Sequence, residues 1–172
     1  MNTAMAHPMT ESPQERLAAI LDSHQPSSVV TVSLNPIPVV SQWCKDHDCT
    51  LVEIQEQDPF AALEEIERVD MAIVADQLEY MSQRDGEALM GLLRNLHTDS
   101  MVAVYQPNLA PQKLRWPSNG FLALGCREQG HFAQEGRELN IYSYDLDNYN
   151  FERKWNNPRF WANPENWGKY WW

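Results

Sequence analysis

Four residues able to exchange protons or hold a polar ligand, Asp76, Gln77, Glu79 and Tyr80, follow directly on the apolar run Val69-Asp-Met-Ala-Ile-Val-Ala75. Two carboxylates this close together can act as acid and base or recognise a cation. The same residues can also do no more than cap the next helix and face water. Cys44, His47 and Cys49, in CKDHDC, have metal-ligand chemistry, but their spacing matches no standard zinc site and no second ligand pair accompanies them, so no metal is expected. His24, His97 and His131 are isolated in sequence and read as helix-end or loop residues. Beyond Tyr149 lies a different chemistry. The tail to Trp172 holds five of the seven tryptophans, and Trp161, Trp167, Trp171 and Trp172 are candidate anchors for a protein contact or cover for a sheet edge.

The elements that position these groups follow from periodicity. Val69 to Ala75 is apolar without alternation, as in a strand covered on both faces. Ser82 then starts a helix as its cap, with Asp85 three residues on and Leu89, Leu92, Leu93 and Leu96 along one face. Met101-Val-Ala-Val-Tyr105 is the next strand, which makes one βαβ unit whose polar crevice lies at the first strand's carboxyl end, where Asp76 stands. Upstream, Ser12-Pro-Gln-Glu15 opens a helix with a capping box, Val29 to Leu34 and Thr50 to Ile54 are strands, and short helices follow each. Downstream, Phe121 to Cys126 and Glu138 to Asp145 are expected to pair as an antiparallel hairpin, with turn residues at Gln129-Gly130 and Glu135-Gly136.

Residues 1–11 carry no periodicity and read as a loose terminus, residues 12–148 as one α/β domain, and residues 149–172 as a Trp-rich tail packed on it. Within that tail Asn157-Pro-Arg-Phe-Trp161 and Asn163-Pro-Glu-Asn-Trp167 repeat an Asn-Pro-x-x-Trp pattern, read as two single-turn helices. The 172-residue chain carries a net charge of −11, which repels phosphate backbones and anionic membranes, so neither nucleic acid nor membrane is an expected partner. Three unpaired cysteines and a start without the basic and apolar parts of a signal peptide fit a cytoplasmic protein. The acidic stretch from Glu53 to Asp70 reads as a solvated face or as a surface for a basic partner.

The order of elements, and above all Asp70-Met-Ala-Ile-Val-Ala-Asp-Gln-Leu-Glu-Tyr-Met81, resembles class I S-adenosylmethionine-dependent methyltransferases at their fourth strand and the loop after it. The resemblance implies a three-layer, Rossmann-like, mostly parallel sheet with a closing antiparallel hairpin, here followed by the aromatic-rich tail. The whole chain, with its WANPENW ending, also resembles a small family of uncharacterised bacterial proteins with no assigned function. Against the methyltransferase pattern, the turn after the first strand is Ser33-Leu-Asn-Pro-Ile-Pro38, without glycine and with two prolines that remove amide donors. The interval Gln55 to Val69 also leaves little room for a third strand. The resemblance makes Asn35, Glu53, Glu56, Asp76 and Gln77 candidates for cofactor contact, with Glu53 or Glu56 toward the ribose, and Glu79 and Tyr80 candidates for a substrate pocket. The expected function is that of a binding or regulatory protein that has lost standard cofactor binding, with no cofactor, a protein or small-molecule partner, and a homodimer compatible with the sequence. Two alternatives stand beside it: an active methyltransferase with an atypical S-adenosylmethionine pocket, and a structural adaptor that docks through the tail.

Overall fold

The computed structural model describes residues 11–145. Residues beyond these limits include the whole aromatic tail, so Trp161, Trp167, Trp171 and Trp172 lie outside the described part. Six strands form one sheet in the order β2-β1-β3-β4-β6-β5. β1 (Ser28–Val32), β2 (Thr50–Ile54), β3 (Met71–Val74) and β4 (Ser100–Tyr105) are parallel, and β6 (Arg137–Asp145) runs antiparallel between β4 and β5 (Arg127–Gln134). Parallel strands buried on both faces must be apolar throughout. β3 accordingly reads Met-Ala-Ile-Val with every residue buried.

Helices cover both faces. On one, α1 (Pro13–His24) and α2 (Pro38–Asp46) bury Leu17, Leu21, Val40 and Trp43 against Val29, Ile73 and Val102. Ser12 caps α1 by accepting from the Glu15 amide at 3.1 Å while the Glu15 carboxylate accepts from the Ser12 amide at 2.9 Å, the reciprocal pair its sequence predicts. On the other face α3 (Phe60–Glu64), α4 (Gln83–Leu92) and α5 (Gly120–Ala123) pack with Leu63, Leu89, Met90 and Phe121 against Val30, Val74 and Ala103. Between β2 and β3 stands α3 rather than a strand, so β2 is a sheet edge among the described residues.

Four expectations need correction. Phe121 to Cys126 is no strand: its first residues form α5, and the amide of Cys126 donates to the carbonyl of Phe121 at 3.1 Å. The strand that pairs with β6 is Arg127–Gln134, a polar, largely exposed edge strand whose composition hides it, and Gly130 sits at a bulge within it rather than at a turn. Leu96 is 63% exposed, because α4 passes at Leu93 into a wider π turn that rotates the following residues off the helix face. Glu79, finally, does not face water: it is fully buried.

One contact fixes how α4 meets the rest of this face. A Cβ on Gly86 would lie 2.6 Å from the Cζ2 atom of Trp116. Alanine would gain about 1 kcal/mol of helix propensity, but overpacking against an indole costs about 1–3 kcal/mol. Gly86→Ala is therefore expected to destabilise by about 1 kcal/mol and to move the Trp116 ring, read as a changed near-UV circular dichroism band.

Candidate functional site: the carboxyl edge and an adjoining cleft

At the carboxyl edge of the sheet the chain leaves β1 through Ser33, whose amide donates to Ile54 of β2 at 3.0 Å, and Leu34, whose amide donates to the Asp76 carbonyl at 3.3 Å. Pro36 and Pro38 offer no amide, and Pro38 starts α2. Asp76 takes a left-handed backbone, φ 46°, a conformation aspartate tolerates better than most residues. Its carboxylate accepts a hydrogen bond from the side-chain amide of Asn35. Gln77 is 2% exposed, and its Nε2 donates to the carbonyl of Gln57 at 3.1 Å. Since β1 lies between β2 and β3, that bond carries the loop after β2 across the end of β1. The Gln77 Oε1 is buried and has no hydrogen-bond partner among the described residues.

Glu79 links the next pair of loops. Its Oε1 accepts from the Gln106 amide at 2.8 Å and its Oε2 from the Gln77 amide at 3.1 Å, which ties the segment after β3 to the segment after β4. Burial pushes its pKa up, with the Asp76 charge adding to the rise and the amide bonds from Gln106 and Gln77 opposing it. Tyr80, by contrast, is 49% exposed, and its phenol is raised by partial burial and by the charge of, and a hydrogen bond to, Asp76. The structure thus brings Asn35, Asp76, Gln77, Glu79 and Tyr80 to one edge, where Asn35 bonds to Asp76 and the Gln77 amide to Glu79. Glu53 stands apart, exposed and accepting from the Ser41 hydroxyl at 3.3 Å, and Glu56 is exposed on the loop beyond β2.

Beside this edge, between the segment after β4 and the β5-β6 hairpin, opens a cleft of about 460 Å³. Its aromatic side is a stack in which Phe121 lies 4.4 Å from Trp116 and 4.2 Å from Tyr142, with interplanar angles of 17° and 10°. The Tyr105 hydroxyl accepts from the Trp116 amide at 3.0 Å and fixes where the stack begins. The hairpin supplies His131, hydrogen-bonded to Asn140, with Glu138 3.5 Å from its Nδ1, and Glu128. Burial raises the Tyr142 phenol, and the charges of Glu128 and Glu138 raise it further. The facing loop supplies Arg115, which donates to the Ala110 carbonyl at 3.4 Å. Among the described residues neither Arg115 nor Glu128 forms an ion pair. An aromatic floor with unneutralised charges of both signs suits a small ligand that carries both.

Sequence reasoning missed this cleft. His131 is set aside there as isolated, and Tyr105, Trp116 and Phe121 lie in separate stretches that only the loop after β4 and the hairpin bring together. The legible signal was the alternation Glu138-Leu-Asn-Ile-Tyr142, which puts Glu138, Asn140 and Tyr142 on one side of a strand.

Comparison with known proteins fits this geometry. The chain belongs to a family of unknown function, DUF6231, whose model matches residues 11–172. No curated protein sequence matches it. Among solved structures it is similar to magnesium protoporphyrin IX methyltransferase from Synechocystis PCC 6803 with bound SAM, at a TM-score of 0.50 and 12% identity, covering 76% of each chain. It is also similar to an rRNA methylase from Escherichia coli, at a TM-score of 0.41 and 16% identity, covering 75% of this chain and only 61% of the methylase. At 12% identity the likeness to the Synechocystis enzyme establishes the methyltransferase-like fold and nothing about activity.

Proposed function

We propose that this DUF6231 protein is a binding protein on a methyltransferase-like scaffold that no longer holds S-adenosylmethionine in the standard way and takes a small ligand in the cleft beside the old cofactor edge. The bridging of the edge by Asn35-Asp76 and Gln77-Gln57 is the observation that carries this reading. A cofactor laid against β1 needs free backbone amides and open polar groups there. Here the amides of Ser33 and Leu34 already bond to neighbouring strands or loops, two prolines supply none, and of the side chains that would meet the cofactor Asn35 bonds to Asp76 and Gln77 to the Gln57 carbonyl. The residues present therefore do not fit the group in this conformation, and no reaction step is assigned through it.

Likeness to a structure with bound SAM favours the competing reading, an active methyltransferase with an atypical pocket. Ligand mapping separates the two. We expect amide and indole resonances of Trp116, His131 and Tyr142 to shift on titration with a zwitterion such as L-phenylalanine, and less with phenethylamine or 3-phenylpropionate, each of which keeps one charge. Arg115→Ala should weaken the zwitterion about 10- to 100-fold, the range of a hydrogen bond to a charged group. Shifts confined to Asn35, Asp76 and Gln77, and produced by S-adenosylmethionine, would overturn the proposal in favour of the enzyme.

A further inference from the structure

The end of α2 folds back on itself. The His47 amide donates to the Trp43 carbonyl at 3.0 Å and the Cys49 amide to the Cys44 carbonyl at 2.9 Å, with Asp48 closing the turn at a left-handed φ of 58°. Ordinary bond lengths on either side of the Cys44-Cys49 bond then hold the two Cα atoms within about 7 Å. A disulfide needs roughly 4.4–6.8 Å. The side chains share one groove, and the Cys49 thiol donates to the Thr50 carbonyl at 3.6 Å. Both cysteines line an open groove of about 610 Å³ beside the edge strand β2, with Lys45 and Asp48 at its rim. His47 is not part of the pair, because it stacks on Trp43 at 4.0 Å. Among the described residues no group of three or more metal-ligating side chains forms, so two-sulfur chemistry is what this turn offers.

We propose that Cys44 and Cys49 are a reversible thiol-oxidation site, closing to an intramolecular disulfide that clips the end of α2 to the start of β2. Cys49 is the partly exposed sulfur and reacts first, whereas Cys44 is buried, and burial with the neighbouring Cys49 pushes its thiol up to about 12. With diamide, a diazene oxidant, the Cys49 sulfur adds to one nitrogen of the N=N bond and its proton ends on the other. The Cys44 sulfur then attacks the Cys49 sulfur, the S–N bond breaks, and the hydrazine leaves with the Cys44 proton. Two thiols lose two electrons and two protons, and the diazene gains them.

The test treats the full chain with diamide, unfolds it in acid and alkylates the remaining thiols with N-ethylmaleimide before mass spectrometry. Of the three cysteines one, Cys126, should take the label, and trypsin, which cuts after Lys45 between the pair, should release two peptides held together only by the bridge. Cys49→Ser should keep both its remaining thiols free, and Cys44→Ser should stall at a single adduct on Cys49 without a bridge. Each variant is first checked for native circular dichroism. The oxidised wild type should unfold several degrees higher than the reduced form and return on treatment with dithiothreitol. Labelling of all three cysteines, or a bridge to Cys126 or between chains, would overturn the proposal.

Discussion

Replacing Phe121 by alanine is expected to destabilise the protein by about 3–5 kcal/mol, within the range for deleting a buried phenylalanine. The ring is 1% exposed and touches three others, stacked on Trp116 and Tyr142 and tilted against Tyr105 at 5.3 Å. Its removal leaves a cavity that those rings can fill only by leaving their own contacts, so collapse offsets little of the loss. For a chain of this length each kcal/mol lowers Tm by roughly 2–4 °C, so thermal unfolding should move down by roughly 6–20 °C. The same variant should blur the cleft, because the Trp116 and Tyr142 walls lose the plate between them. Phe121→Leu, which keeps most of the volume, should fall well short of that loss. If alanine costs less than 1 kcal/mol, the stack is not what holds the loop after β4 to the hairpin.

Glu79 carries the second large effect. Removing its carboxylate in Glu79→Ala leaves the amides of Gln77 and Gln106 without acceptors, at about 1–3 kcal/mol each, and we expect a net loss of about 2–5 kcal/mol in urea unfolding. The pH dependence follows from the raised pKa. A carboxyl group that binds its proton more tightly in the folded state adds stability that is fully present below its unfolded pKa, near 4.5, and is lost as pH rises through the folded value. Glu79→Gln keeps the shape and cannot titrate, though its amide nitrogen opposes one of the two backbone donors. The stability gap between wild type and Glu79→Gln should therefore narrow as pH rises from about 4.5, while the other carboxylates cancel in the difference. A gap that widens over that range would contradict the assigned burial.

The elements legible in the sequence were those whose burial imposes a pattern. The unbroken apolar run of β3, the Ser12 and Ser82 caps and the buried Leu89 of α4 each carry their own local signal and stand where periodicity puts them, whereas Leu96 does not. The proline turn after β1 was legible as a departure from the methyltransferase pattern, because missing donors can be read from residue types alone. Arg127–Gln134 was not legible: an exposed edge strand needs no apolar face, and a polar strand resembles a loop. Asp76 and Glu79 could be placed at a strand's end, yet their separate fates could not. One bonds to Asn35 at the surface and the other is buried under two amides, which depends on loops that meet only in the fold. The cleft assembles residues from β4, its following loop and the hairpin, so no single stretch announces it.

The central claim, that a methyltransferase-like fold here does not take up the cofactor in the standard way, is tested most directly by calorimetric titration of the full chain with S-adenosylmethionine and with S-adenosylhomocysteine. The closed edge at Asn35, Asp76 and Gln77 predicts no saturable heat with millimolar ligand and no rise in Tm. A micromolar Kd would contradict it: ligand at about 100 times Kd would stabilise the fold by roughly 2.7 kcal/mol, and the edge would then have to open in solution.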